Sequence, residues 1–87
     1  MTLTRTTEDA VAEGLAVRFN MTAGKRLLTC WVRAAALEKL ENNPRLEPEK
    51  FLEAFGRHSA VLEDAAKRIY ARGLLDGPNI VIRKENV

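Results

Sequence analysis

The segment LAVRFNMTAGKRLLTCWVR, residues 15–33, decides the fold of this chain. Apolar side chains alternate with other side chains over residues 15–21, a period of two that is typical of a strand with one buried face. Residues 22–25 read as a turn, in which Gly24 takes a positive φ at low cost. A second run, residues 25–33, separates two faces in the same way. Two such runs joined by a short glycine-containing loop predict a β-hairpin.

A helical pattern follows the hairpin. From Ala34, three alanines and two leucines among charged residues favour a short helix, which ends at Asn43 because the next residue is a proline. A longer helix begins near Pro48, with acidic residues near its start and basic residues near its end, and finishes at Gly73. Apolar side chains spaced by three and four mark the helix face that packs on the sheet. This face comprises Phe51, Phe55, His58, Leu62, Ala65 or Ala66, and Ile69.

The run NIVIRK, residues 79–84, predicts a closing strand after the turn at residues 76–78. The order β-β-α-α-β predicts an α+β fold, a two-layer sandwich with two helices on one face of an antiparallel sheet. The sheet has three strands, or four if Leu3 begins a short edge strand, and the last strand can pair with either hairpin strand. We expect a single domain, residues 1–87, with a weakly patterned N-terminal arm, residues 1–14.

Composition excludes several classes of protein. No apolar run approaches the roughly 20 residues of a membrane span, and the first residues lack the apolar core of a signal peptide. The lone cysteine, Cys30, rules out an internal disulfide and favours a reducing compartment, so we expect a cytoplasmic protein. The lone histidine, His58, excludes a metal site built on paired histidines, and the scattered glycines form no phosphate loop. We expect no cofactor.

Three short patterns stand out between residues 15 and 69. They are V-x-F in the first strand, C-x-V-x-x-x-A-L where the second strand leads into a helix, and F-x-x-H-x-x-x-L-E-x-x-A in the second helix. The matching residues are Val17 and Phe19; Cys30, Val32, Ala36 and Leu37; and Phe55, His58, Leu62, Glu63 and Ala66. With these patterns the chain resembles the domain-of-unknown-function family 1488, which comprises short bacterial proteins. The resemblance implies a small α+β fold in a bacterial cytoplasm and supplies no activity, cofactor or ligand.

Cys30 and His58 form one candidate chemical pair. If the second helix brings His58 to the inward face of the hairpin, an imidazolium there lowers the thiol pKa and favours a thiolate nucleophile. Against this, Cys30 lies in mid-strand between Leu28 and Val32, where a free cysteine behaves as a small buried hydrophobe. We therefore interpret both as buried structural positions, His58 being hydrogen-bonded at the helix–sheet boundary. A thiol enzyme is the alternative.

The carboxylates of the second helix offer no acid–base pair. Glu63 and Asp64 are adjacent and point in different directions. Glu63 and Lys67 are spaced i,i+4, which predicts an ion pair on the solvent side.

The predicted strands carry an excess of positive charge. Residues 15–33 contain four basic residues and no acidic one, and residues 79–84 add two basic residues and no acidic one. If the alternate residues Leu28, Cys30 and Val32 face the helices, arginines and large apolar side chains share the opposite, outer face of the sheet. The candidate interaction surface on this face is Arg18, Leu27, Trp31, Arg33, Val81 and Arg83.

Three hypotheses account for a tryptophan among arginines on an open sheet. Trp and Arg are enriched at protein–protein hot spots, so two such faces can pair in a homodimer. Alternatively, bases of single-stranded nucleic acid stack on Trp31 while the sheet arginines hold phosphates. In the third, the N-terminal arm covers Trp31 with Leu3 or Val11. The residues reveal no biochemical activity, and we favour a non-enzymatic protein-interaction module, a homodimer through the outer face.

Overall fold

The structure, a computed structural model, describes residues 3–87. Within these residues the chain forms five strands and two α-helices. The strands are β1 (Leu3–Arg5), β2 (Val11–Glu13), β3 (Ala16–Ala23), β4 (Arg26–Arg33) and β5 (Asn79–Ile82). The helices are α1 (Ala34–Glu41) and α2 (Phe51–Ala71), with 3₁₀ turns at Pro48–Lys50 and Lys84–Asn86. The predicted α+β class is confirmed.

The hairpin formed by β3 and β4 is the centre of the sheet. The two strands pair antiparallel over their full eight residues, from Ala16 opposite Arg33 to Ala23 opposite Arg26. Their connection is therefore two residues long, tighter than the predicted four-residue turn. Gly24 occupies its first position with a φ of 63°, which a residue without Cβ adopts freely.

The expectation of a wholly antiparallel sheet is wrong at its last strand. β5 pairs parallel with β4, and Val32 lies opposite Ile82 in this ladder. Both helices lie between these two strands in sequence, so residues 34–78 have the length to form the crossover that a parallel pair requires. This crossover brings the chain back to the end of the sheet at which β4 begins, and β5 then runs in the direction of β4.

The N-terminal arm adds two short strands to the free side of β3. β1 pairs antiparallel with the end of β3, with Leu3 opposite Ala23, and β2 pairs with its beginning, with Val11 opposite Arg18. The edge strand predicted at Leu3 is confirmed. β2 was not predicted, because three residues are too few for alternation to show. The strand order is β1-β3-β4-β5, with β2 also on β3.

One face of the sheet is buried against the helices. Alternate residues of β3, β4 and β5 have almost no exposed surface, and the predicted apolar stripe of α2 packs on them. The rings of Phe19 and Phe55 join the two layers, with centroids 5.1 Å apart. Placement of both helices on one face is thus confirmed. The largest fully buried side chains are Phe19, Phe51, Met21, Leu28, Leu37, Leu62, Ile80, Ile82, Val17, Val32 and Cys30.

The helix ends follow local sequence signals. Asn42 ends α1 in the left-handed region, with φ 53°. α2 ends in a Schellman motif, in which Gly73, at φ 67°, donates its N–H to the carbonyl of Tyr70 and Leu74 donates to Ile69. Within α2, His58 departs from helical geometry, with φ −115° and ψ 17°, and kinks the helix. No helix formed by residues 3–87 is long and apolar enough to cross a membrane.

Candidate interaction surface

The outer face of the sheet is the side that faces away from both helices. Strand register aligns four of its side chains in one row across the sheet: Val11 opposite Arg18, Arg18 opposite Trp31, and Trp31 opposite Val81. Trp31 and Val81 are half-buried, so each keeps part of its side chain accessible. The structure therefore brings the predicted residues Arg18, Trp31 and Val81 into direct adjacency.

One end of the outer face is basic. Val32 and Ile82 are partners in the parallel ladder, so the next residues, Arg33 at the end of β4 and Arg83 just beyond β5, lie side by side. Both are exposed. The nearest carboxylate of Arg83 is that of Asp76, 4.0 Å from Nη2. Arg18 differs from this pair, because its Nε donates to the carboxylate of Glu13 on β2 and its charge is compensated within the face.

The other end of the outer face carries no charge in its strand residues. A row of polar side chains crosses it from Asn20 through Thr29 to Asn79. Beyond this row, Leu27 lies opposite Thr22 and is 57% exposed. The predicted surface residues therefore form three groups. Arg18, Trp31 and Val81 lie in one row across the sheet. Arg33 and Arg83 lie at the basic end, and Leu27 lies alone at the other end.

In the part of the N-terminal arm that the structure describes, residues 3–14, neither Leu3 nor Val11 covers Trp31, so that hypothesis is wrong. Leu3 is buried in the core on the opposite side of the sheet, beside Ala23. Val11 does lie on the outer face, but Arg18 separates it from Trp31 and 43% of its surface is exposed. Instead, the arm adds β2 to the sheet and places Val11 on the outer face beside Arg18.

Cys30 and His58 occupy separate environments. The Cys30 side chain is fully buried, and this burial raises the pKa of its thiol to about 12, although the positive charge of Arg5 opposes the shift. Among residues 3–87, the hydrogen-bond partner of the His58 ring is the carboxylate of Glu41, with Nε2 2.7 Å from Oε2. A neutral buried thiol without an imidazole partner does not act as a nucleophile.

Glu41, the last residue of α1, organises a cluster that sequence reasoning missed. Arg57 binds its carboxylate through two guanidinium nitrogens, and His58 binds it from the next position of α2. Hydrogen bonds from Arg57 and then His58 stabilise the ionised form, so the pKa of Glu41 lies below its ordinary value. A second carboxylate, Glu53, also accepts from Arg57, at 2.9 Å. The cluster ties the end of α1 to the kink of α2.

Arg5 forms a second unpredicted cluster, between β1 and α2. Its guanidinium carbon lies 4.9 Å from the ring centroid of Phe55 and 5.4 Å from that of Phe19. Nη1 lies 3.4 Å from the carboxylate of Glu63. The predicted ion pair of Glu63 with Lys67 is therefore wrong, because Glu63 turns toward the sheet. A cation stacked on two aromatic rings fixes the short β1 strand on the helix.

No group of three or more His, Cys, Asp or Glu side chains in the described part of the chain is arranged to hold a metal ion. Within each of the two clusters the charged side chains bind one another. The outer face is the remaining surface on which predicted residues converge.

Comparisons with known proteins agree with this fold. The sequence pattern of one family, Protein of unknown function (DUF1488), matches residues 4–80. A crystal structure of a protein of unknown function from the same family, from Shewanella loihica PV-4, superposes with a TM-score of 0.83. The two chains are 17% identical over 95% of this chain and 93% of the other, so the likeness concerns the fold. No curated protein matches the sequence.

Proposed function

This chain belongs to the DUF1488 family of proteins of unknown function, and from that premise we propose that it is a protein-interaction module that pairs with a second copy of itself through the outer face. The observation that carries the proposal is the row formed by Arg18, Trp31 and Val81, which lies on the face opposite the helices. A tryptophan flanked by an arginine and an aliphatic residue has the composition of an interface hot spot.

Twofold pairing suits the charge distribution of this face. If two copies meet with their strands antiparallel, the basic end of one, Arg33 and Arg83, lies opposite the uncharged end of the other, Leu27 and Thr22. This arrangement keeps like charges apart, and each exposed leucine packs on the aliphatic parts of the arginine side chains of the other copy. It also leaves the Arg18–Glu13 ion pair of each copy intact, so Arg18 enters the interface with its charge already compensated.

The size of the outer face predicts a weak dimer. The strands have eight residues in β3 and β4, four in β5 and three each in β1 and β2. At a rise of about 3.3 Å per residue and a spacing of about 4.8 Å, the outer face measures roughly 400 Å² per copy. Two faces together bury on the order of 800 Å², which is below the roughly 1,000 Å² of a stable specific interface and in the range of weak, transient ones. We therefore expect a dissociation constant in the range of about 1–100 μM.

Size-exclusion chromatography with light scattering tests this proposal through a matched pair of variants. Leu27→Thr removes an exposed leucine from the outer face, and Leu74→Thr removes one, 65% exposed, from the segment after α2. Leu27→Thr and Trp31→Thr should shift the protein toward monomer, because both remove apolar contact from the interface, while Leu74→Thr should behave as wild type. Equal masses for all four proteins at every concentration would contradict the proposal, provided that circular dichroism shows each to be folded.

Single-stranded nucleic acid is the second candidate partner, favoured by the position of Trp31 beside the uncompensated Arg33. Arg18 contributes less to it, because Glu13 already neutralises that guanidinium. Titration of an oligonucleotide at low salt, followed by Trp31 fluorescence, distinguishes this candidate: binding must weaken with salt and with Trp31→Thr. Absence of binding at low salt removes it.

We place this module in the cytoplasm as one domain, residues 1–87. The free, buried thiol of Cys30 supports a reducing compartment. A continuous cluster of buried side chains drawn from the strands and both helices supports a single cooperative unit.

A further inference from the structure

The geometry points to a binding site for the phosphate group of a small phosphorylated molecule at the carboxyl ends of β4 and β5, held by Arg33, Arg83 and Lys84. The site does not depend on the dimer proposed above. It lies at the edge of the sheet, where the outer face meets the beginning of α1.

Parallel pairing of β4 and β5 creates this cationic group. In a parallel ladder both strands end at the same edge, so Arg33 and Arg83 follow the paired residues Val32 and Ile82 on adjacent strands. Lys84 comes next and begins the 3₁₀ turn. An antiparallel β5 would place its basic end at the opposite edge of the sheet, so the arrangement results from the topology.

The charges of this group are poorly compensated within the described residues. Arg33 and Lys84 have no carboxylate within ion-pair distance among residues 3–87, and Arg83 has Asp76 at the limit of that distance, 4.0 Å. Like charges on neighbouring strands repel each other, and the repulsion weakens the sheet edge. An anion between the side chains would convert this repulsion into attraction, as Arg–phosphate pairs do.

A cleft of about 350 Å³ lies between these side chains. Its volume is at the lower end of the range for small-molecule sites, enough for a phosphate and a small organic group. Ala35 forms an apolar wall, and Glu85 adds one carboxylate to three cations, so the lining is net positive. The cleft lining contains no aromatic side chain on which a base could stack, since Trp31 faces away from α1, and this favours a small phosphate ester over a polynucleotide.

Nuclear magnetic resonance titration tests the site directly. Inorganic phosphate and glycerol 3-phosphate are added separately to ¹⁵N-labelled protein, with chloride adjusted to hold the ionic strength constant. We expect saturable shifts of the amide signals of residues 33–35 and 83–85, with tighter binding of the ester if the organic group contacts Ala35. Equal affinity would identify free phosphate as the ligand, which would overturn the assignment to a phosphorylated molecule.

Charge variants distinguish phosphate binding in the cleft from nonspecific attraction of phosphate to a positively charged protein. Arg33→Gln with Arg83→Gln should weaken phosphate binding at least tenfold, because bidentate guanidinium contacts are lost. The matched control, Arg26→Gln with Arg45→Gln, lowers the net charge equally at exposed positions outside the cleft and should bind as wild type. Glu85→Gln should tighten binding about threefold, because it removes the opposing carboxylate. This gain cannot arise from misfolding.

Three further results would overturn the proposal. They are shifts that do not saturate, equal weakening by the two double variants, and a single-stranded oligonucleotide that binds far more tightly than the ester and perturbs Trp31. The last result would assign the cations to a polynucleotide backbone. The titration is run on Leu27→Thr as well, so that failure of the phosphate site and failure of the dimer are observed separately.

Discussion

Nε2 of His58 lies 2.7 Å from Oε2 of Glu41, so the residue at which α2 kinks is fastened to the last residue of α1. The non-helical backbone of His58 is the point at which α2 bends. Arg57, the preceding residue, binds the same carboxylate. Glu41 therefore links the end of α1 to the kink of α2, which is a structural role.

Glu41→Gln should lower the thermal unfolding temperature at neutral pH, because an amide cannot replace the ionised carboxylate toward Arg57 and His58. The folded pKa of Glu41 is depressed, so its stabilisation is complete above the ordinary carboxyl pKa and is lost as pH falls through the folded value. The difference from wild type should therefore shrink in acid. Glu53→Gln is the control: its carboxylate also binds Arg57 but is mostly exposed, and a larger effect there would contradict the role of Glu41.

Arg5→Met should reduce the free energy of unfolding in urea by about 1–2 kcal/mol, because it removes a cation from two ring faces while keeping an apolar stem. The side chain is 25% exposed, so the interaction is partly shielded from water. Arg26→Met, at the exposed start of β4, should change stability by less than about 0.5 kcal/mol. Equal effects at the two positions would show that the stacking on Phe19 and Phe55 contributes nothing.

Cys30→Ser should lower the free energy of unfolding by about 1–3 kcal/mol, because it buries a hydroxyl among packed apolar side chains. Cys30→Ala should lower it less at neutral pH, since alanine introduces no polar group. In the folded wild type, alkylation of Cys30 should be as slow as unfolding, which mass spectrometry measures. Rapid alkylation under native conditions would restore the thiol-enzyme hypothesis.

Alkaline pH provides a separate test of Cys30. Its thiol ionises near pH 9.0 when unfolded and near 12 when folded, so between these values the folded state holds more protons. The stability contributed by the neutral thiol is complete below pH 9.0 and declines as pH rises toward 12. Urea unfolding at pH 7 and pH 10 should show a decline in wild type that exceeds the decline in Cys30→Ala. Equal declines in stability of the two proteins would contradict the burial of the Cys30 thiol.

Two glycines in and after α2 should respond oppositely to alanine. Gly73→Ala should destabilise by about 1 kcal/mol, because the Schellman motif holds this position at φ 67°. Gly56→Ala should stabilise by up to about 1 kcal/mol, since a Cβ there meets no atom within 4 Å and alanine favours helix. Destabilisation at Gly56 would indicate that the kink at His58 requires glycine nearby.

Local patterns predicted the hairpin and the buried stripe of α2, because alternation and helical spacing are properties of neighbouring residues. The same alternation separated Trp31 from Cys30 and placed them on opposite faces. Pairing of β5 depends on the path of residues 34–78, so its parallel direction was not predictable from NIVIRK. Arg33 and Arg83 were both predicted on the outer face, but their side-by-side position depends on the same pairing of β5 with β4.

The two clusters were missed because sequence spacing does not encode their contacts. Glu41 and His58 are 17 residues apart, and Arg5 and Glu63 are 58 apart. One available signal was the i,i+4 spacing of Glu53 and Arg57, which predicts their ion pair but not the third partner, Glu41. Arg5 lies in a segment too short for a strand pattern.

Sedimentation equilibrium of the wild-type chain over a range of concentrations tests the central claim most directly. The outer face is small, so we predict a reversible monomer–dimer equilibrium with a dissociation constant of about 1–100 μM. Trp31 fluorescence should move to shorter wavelength in step with dimer formation, because pairing removes the ring from water. A strict monomer at millimolar concentration, with Trp31 emission independent of concentration, would contradict the assignment of the outer face as a self-association surface.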